Sequence, residues 1–147
     1  MERSFTTQVR VRYAETDQAG IAHHSNHVTW LEVARVAWLR EAGIPYGTLE
    51  QRGIQLTVAE VEIRYHRPVF FDDLLTIETT LEEAAGARMV LRYRVLGPQG
   101  DLRASGRTLL ACIEKEGGRP RRLPAELAAL IAEPERGDGA VDPEEVT

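Results

Sequence analysis

An α+β fold with a single antiparallel sheet is predicted by three observations. The segment Val28 to Ala42 carries helical periodicity between capping and stopping residues. Five other segments, Thr6–Tyr13, Ile54–Tyr65, Leu74–Leu81, Arg88–Leu96 and Leu102–Ile113, read as strands. The last four are joined by short Gly- or Pro-containing links, which favour antiparallel neighbours and a meander. At 147 residues and 43% hydrophobic composition the chain has the size of one domain with a sizeable core.

The first strand rests on alternation: Val9, Val11 and Tyr13 fall on one face, Gln8, Arg10 and Arg12 on the other. A turn-rich stretch, Ala14 to Asn26, follows. Ser25 and Asn26 are N-cap types for the helix, and Gly43 with Pro45 stops it. Apolar residues cover so much of its circumference that burial on most sides is expected; only Glu32, Arg35, Arg40 and Glu41 interrupt them with charge. Tyr46 to Gln51 adds a short helical turn, and Pro124 to Ala132 a terminal helix. The expected architecture is a curved sheet of about five antiparallel strands wrapped around one long central helix. One layer on one helix leaves apolar surface bare, so a homodimer is expected to complete the burial. Residues 1–132 form this domain and 133–147 an acidic, disordered tail.

The formal net charge is −5, and the last fifteen residues, with six acids and one arginine, account for all of it. A near-neutral body argues against a nucleic-acid partner and gives no support to an anionic-membrane partner. One cysteine, Cys112, permits neither an internal disulfide nor a thiolate cluster. With no signal-peptide pattern and no long apolar span, a cytoplasmic location is expected.

Titratable and polar side chains are densest between the first strand and the helix: Tyr13, Glu15, Asp17, His23, His24 and His27. A helix start gathers free N–H groups and the positive end of the helix dipole. A carboxylate facing it could work on a carbonyl whose oxygen accepts those N–H groups, the arrangement of acyl transfer. By default, however, Asp17 forms a turn on its own backbone, loop histidines are solvated, and Tyr13 packs. His23 and His27, spaced i,i+4, could join Asp17 around a metal.

The run Tyr13-Ala-Glu-Thr-Asp17-Gln-Ala-Gly20-Ile-Ala-His-His24-Ser-Asn-His-Val-Thr-Trp30-Leu-Glu32-Val-Ala-Arg35 resembles the signature of the hot-dog acyl-CoA thioesterases, the 4-hydroxybenzoyl-CoA thioesterase and YbgC-like branch. Tyr65-His-Arg67-Pro68 and Asp72-Asp73-Leu-Leu-Thr76-Ile extend the resemblance over roughly residues 5 to 125. It implies hydrolysis of an acyl-CoA thioester with no cofactor and no metal. Asp17 matches the catalytic carboxylate, as nucleophile or as base for a water. His24 offers a helix-start amide to the thioester oxygen, and Tyr13 matches an aromatic at the site. Arg119 and Arg121, in the basic run after the last strand, match arginines that hold the CoA moiety. Arg88 stands in for a nucleotide contact where the family often has Lys or Arg then Ser, and this chain has Ala85-Gly86-Ala87. Dimers pairing into homotetramers are a further implication. The rival readings are a non-catalytic acyl-CoA-binding or regulatory protein on the same scaffold, a metal-dependent hydrolase using His23, His24 or His27, and a dehydratase.

Overall fold

The computed structural model describes residues 4–132 of the chain; the predicted acidic tail lies outside them. The elements run β1 (Ser4–Arg10), a 3-10 turn (Tyr13–Glu15), α1 (Ser25–Glu41), α2 (Tyr46–Gln51), β2 (Ile54–Tyr65), β3 (Leu74–Ala85), β4 (Arg88–Leu96), β5 (Leu102–Glu114) and α3 (Ala125–Ala132). The strands form one five-stranded sheet, in the order β1-β3-β4-β5-β2, with every pair antiparallel.

The expected meander holds only for β3-β4-β5. Gly86, with φ at 61°, takes the first position of a two-residue hairpin between Ala85 and Arg88, where a side chain would be strained. β2 does not pair with β3. It lies beyond β5 at the opposite edge, with Tyr65 against Ala104 and Ile54 against Glu114, so residues 66–73 must cross from one side of the sheet to the other. That crossing segment becomes one wall of the site.

The core follows the strand period of two. Leu75, Ile77 and Leu81 of β3 and Met89, Leu91, Tyr93 and Val95 of β4 are fully buried and meet Trp30, Leu31, Ala34, Trp38 and Leu39 of α1 within one hydrophobic cluster. A Cβ on Gly106 of β5 would lie 2.8 Å from the Glu62 carbonyl oxygen and 3.3 Å from Leu31 Cδ1. Only glycine lets α1 and β2 come this close to β5.

Three local expectations need correcting. Burial on most sides of α1 does not occur in the single chain: a stripe at 27, 30, 31, 34, 35, 38 and 39 is buried, while Val28 and Val33 are exposed. Arg35, read as an interruption of the apolar face, belongs to that buried stripe. β1 ends at Arg10, and the 3-10 turn that follows rotates Tyr13 outward, leaving it 77% exposed instead of packed beside Val9 and Val11.

Candidate active site

The path from β1 to α1 is organised by one buried carboxylate. Glu15 Oε1 accepts the Arg12 amide (2.8 Å), and Oε2 accepts the Arg12 guanidinium (3.2 Å) and the Trp30 indole N–H (3.2 Å). Its carbonyl accepts the His23 amide and the Asn26 side-chain amide, both at 2.9 Å. One residue thus ties the turn to the first and second turns of the helix. Sequence reasoning placed Glu15 in the polar set but gave it no role, because its partners Trp30 and Asn26 meet it only through the fold.

Residues 16–22 form a tight hairpin. Thr16 bridges Ala22, the Asp17 amide donates to the Ile21 carbonyl (2.9 Å), and Gly20 turns the chain with φ at 80°. Asp17 Oδ1 accepts the amides of Ala19 (2.8 Å) and Ile21 (3.1 Å). The side chain therefore shapes its own turn, yet spends one oxygen doing so; Oδ2 has no partner among the described residues. The hairpin lies along the crossing segment: the Ala22 amide donates to Val69 O (2.7 Å), the Phe71 amide to Gly20 O (2.9 Å), and Ile21 bridges Phe70.

The helix begins earlier than predicted, with His24 as N-cap, and neither Ser25 nor Asn26 caps it. His23 does that work from outside: its Nδ1 accepts the Ser25 amide (3.2 Å) and pairs with Ser25 Oγ (2.8 Å), and its carbonyl accepts the Asn26 amide (3.1 Å). The His24 carbonyl accepts the His27 amide (3.1 Å). The His24 amide has neither a backbone nor a side-chain partner among the described residues.

Tyr65, the last residue of β2, fixes this end of the helix. Its ring stacks on His24 (centroids 4.2 Å apart, 16° between planes) and its hydroxyl donates to the His24 carbonyl (3.2 Å). His27 meets the same ring edge-on at 4.8 Å and is itself buried. Burial, and secondarily the nearby His24, lowers the His27 pKa to about 4, so its imidazole is neutral near pH 7. Its Nδ1 is buried with no hydrogen-bond partner among the described residues.

These elements enclose a cavity of about 300 Å³ lined by Ile21, Ala22, His24, His27, Tyr65, His66, Arg67, Pro68 and Val69. Its lining holds three histidines and an arginine but no carboxylate. Asp17 is exposed and is not a lining residue; its hairpin reaches the cavity through Ile21 and Ala22. Tyr13 is not a lining residue either, its ring meeting Phe71 edge-on at 5.5 Å. Among the described residues no three His, Cys, Asp or Glu side chains converge as metal ligands would. Cys112 is buried in β5, where desolvation raises its thiol pKa, an environment unsuited to a nucleophile.

The three arginines assigned to coenzyme A gather elsewhere. Arg88 pairs with Ala111 across the sheet and its Nε lies 3.0 Å from Glu83. Arg119 and Arg121 belong to a return segment along the end of β5: Arg119 O accepts the Glu114 amide (2.8 Å) and the Arg121 amide donates to Cys112 O (3.0 Å). The Arg119 and Arg121 guanidinium groups have no hydrogen bond or ion pair among the described residues. The cavity borders the other end of β5, where Tyr65 faces Ala104. Seven residue steps along the strand lead from Ala104 to Ala111, roughly 23 Å.

The antiparallel sheet, its long helix and the histidine-lined cavity beside the helix start make up the frame of the site, and comparison with known proteins gives the class. Residues 11–131 match the model of the thioesterase-like superfamily; the chain belongs to this family and is a thioester hydrolase.

Among individual proteins, it is 31% identical over 141 residues to the 4-hydroxybenzoyl-CoA thioesterase of a Pseudomonas species, covering 90% of this chain and all of that one. It is 30% identical over 133 residues to the acyl-CoA thioesterase YbgC of Haemophilus influenzae, covering 89% of this chain and 96% of that one. The solved DHNA-CoA thioesterase of Staphylococcus aureus superposes with a TM-score of 0.83 at 30% identity, covering 88% of this chain and 89% of that one. Among the described residues no helix is long and apolar enough to cross a membrane.

Proposed function

We propose that the chain hydrolyses the thioester of an acyl-coenzyme A, releasing a carboxylic acid and free coenzyme A, in the manner of the relatives named above. The observation that carries this reading is that His24, whose amide has no partner among the described residues, lines the cavity beside a hairpin whose aspartate keeps one carboxylate oxygen free. The carbonyl oxygen accepts the His24 N–H while Asp17 attacks the thioester carbon or deprotonates a water that does so. A well-placed donor of this kind is worth about 2.7–4 kcal/mol of barrier. His27, neutral at pH 7, is not the general acid. Tyr13 stands with Phe71 at the outer margin of the hairpin and contributes surface for the substrate's entry.

In this reading the sheet curls around α1 as in a hot-dog domain, and a second copy covers the exposed face holding Val28 and Val33. Dimers pair again into tetramers, in the cytoplasm, without cofactor or metal. Arg88, Arg119 and Arg121 gather at the far end of β5 from the cavity, and in this reading they hold the phosphates of the coenzyme bound at the site of an adjoining copy.

The test is free-thiol release from a panel of acyl-CoAs by the parent protein and by Asp17→Asn. Turnover by the parent, reduced about 10²–10⁴-fold in the variant, is expected. No turnover by the parent, or undiminished turnover by Asp17→Asn, would refute the assignment. Full activity after chelator treatment is also expected, and a loss restored by added metal would favour a metal-dependent hydrolase.

A further inference from the structure

The crossing segment 66–73 is held by a residue that lies outside the site. Arg103 of β5 is buried, and its guanidinium makes three bonds, two of them to that segment. Nε donates to Asp101 Oδ2 (2.6 Å), while Nη1 donates to the Pro68 carbonyl (2.8 Å) and to Asp73 Oδ2 (3.1 Å). The Arg103 carbonyl accepts the amides of His66 (2.8 Å) and Arg67 (3.0 Å). Asp73 Oδ2 in turn accepts the Phe70 amide (3.0 Å). One side chain and its own carbonyl thus fix the segment at both ends, in a buried setting where bonds to charged groups are strong.

The same segment is the rail on which the Asp17 hairpin rests, through Ala22 to Val69, Gly20 to Phe71 and the Ile21–Phe70 bridge. The hairpin is exposed and short, so little besides this rail and Glu15 sets where it sits. Room for the guanidinium is built in as well: a Cβ on Gly97 would fall 2.6 Å from Arg103 Nε and 2.7 Å from its Cζ. Resting on the catalytic reading above, we infer that Arg103 is a positioning residue, which acts through Pro68 and Asp73 on the crossing segment and so holds the hairpin that carries Asp17.

Three variants test this: Arg103→Met, which removes the clamp; Arg103→Lys, which keeps the charge but not the fork; and Gly97→Ala, which displaces the guanidinium with every polar group retained. Because the clamp orients a reacting group, the loss falls on kcat. Misplacement by about 1 Å can cost about 100-fold. We expect kcat to fall about 10- to 100-fold in Arg103→Met and less in Arg103→Lys, with KM changed under about threefold. Hydrogen exchange at the Ala22 and Phe71 amides should quicken at least about tenfold more than at Leu91 in the sheet centre.

Arg103→Met that keeps kcat, or faster exchange spread evenly over the sheet with Ala22 and Phe71 unremarkable, would overturn the inference. If Arg103→Met does not fold, Gly97→Ala carries the same expectation and the same refutation. Asp17→Asn separates the two layers. An active Asp17→Asn refutes the catalytic reading alone, with the exchange measurement still judging the clamp; an inactive Asp17→Asn beside Arg103 variants of full kcat refutes the clamp alone.

Discussion

Two ends of the sheet attracted notice as sequence, and the fold treats them in opposite ways. Between Arg12 and His27, side chains hold backbone: Glu15 gathers four donors besides Arg12's guanidinium, His23 caps α1 from outside, and Asp17 shapes its own turn. Between Glu114 and Arg121, backbone holds backbone, through the Arg119 carbonyl and the Arg121 amide, and the two guanidinium groups make no hydrogen bond or ion pair among the described residues. The contrast matches the two tasks proposed for these ends. Attack on a carbonyl needs atoms fixed to a fraction of an ångström. A flexible, multiply charged phosphate chain needs cations that can follow it.

If that contrast is right, breaking the first end should damage folding and chemistry together, and breaking the second should damage binding alone. The largest effect is expected for Glu15→Ala. It strands the buried Trp30 N–H and loosens the helix start, so a loss of about 3 kcal/mol is expected, seen as a lower urea midpoint at unchanged m-value. Turnover should fall as well. A variant of parental stability would show that Glu15 does not anchor this end.

A comparable but pH-dependent effect belongs to His27. Its folded-state pKa of about 4 lies below the ordinary 6.5, so the unfolded chain takes up this proton first as pH falls. The contribution is complete above pH 6.5 and is lost progressively between 6.5 and 4. It amounts to about 3 kcal/mol at most, from about 1.4 kcal/mol per pKa unit. The measurement is urea unfolding of the parent and His27→Gln across that window. The parent curve should slope more steeply, and parallel curves would contradict the burial argument.

The smallest effect in free energy sharpens the second end. Arg119→Ala with Arg121→Ala should raise KM for an acyl-CoA about tenfold, or about 1.4 kcal/mol, with kcat kept within about twofold and the thermal midpoint unmoved. High salt should shrink the difference between parent and variant. A fall in kcat at constant KM would move these arginines from binding to catalysis.

What could be read in the sequence follows the range of the interactions involved. β2, β4 and α2 begin and end where periodicity and their Gly or Pro stops put them, because those signals are local. Strand order was not legible in the same way: β2 joins β5 at the far edge through a pairing fifty residues apart at its centre, and short links alone suggested β3 as its neighbour. Ser25 and Asn26 look like caps and so place the helix start late, whereas the ring of His23 takes that place. Asp17 and His24 were visible as residues in a turn and at a helix start. The clamp at Arg103 was not, since Asp73 and Pro68 reach it only once the crossing segment is folded over β5.

The most direct test of the central claim is a crystal structure with an acyl-CoA analogue whose thioester is replaced by a ketone-bearing thioether. The ketone oxygen should accept the His24 N–H at about 2.7–3.1 Å. The carbonyl carbon should lie within about 3.5 Å of an Asp17 carboxylate oxygen, or one water away from it. A ketone bound beyond reach of the His24 amide, with Asp17 turned only toward Ala19 and Ile21, would contradict the account.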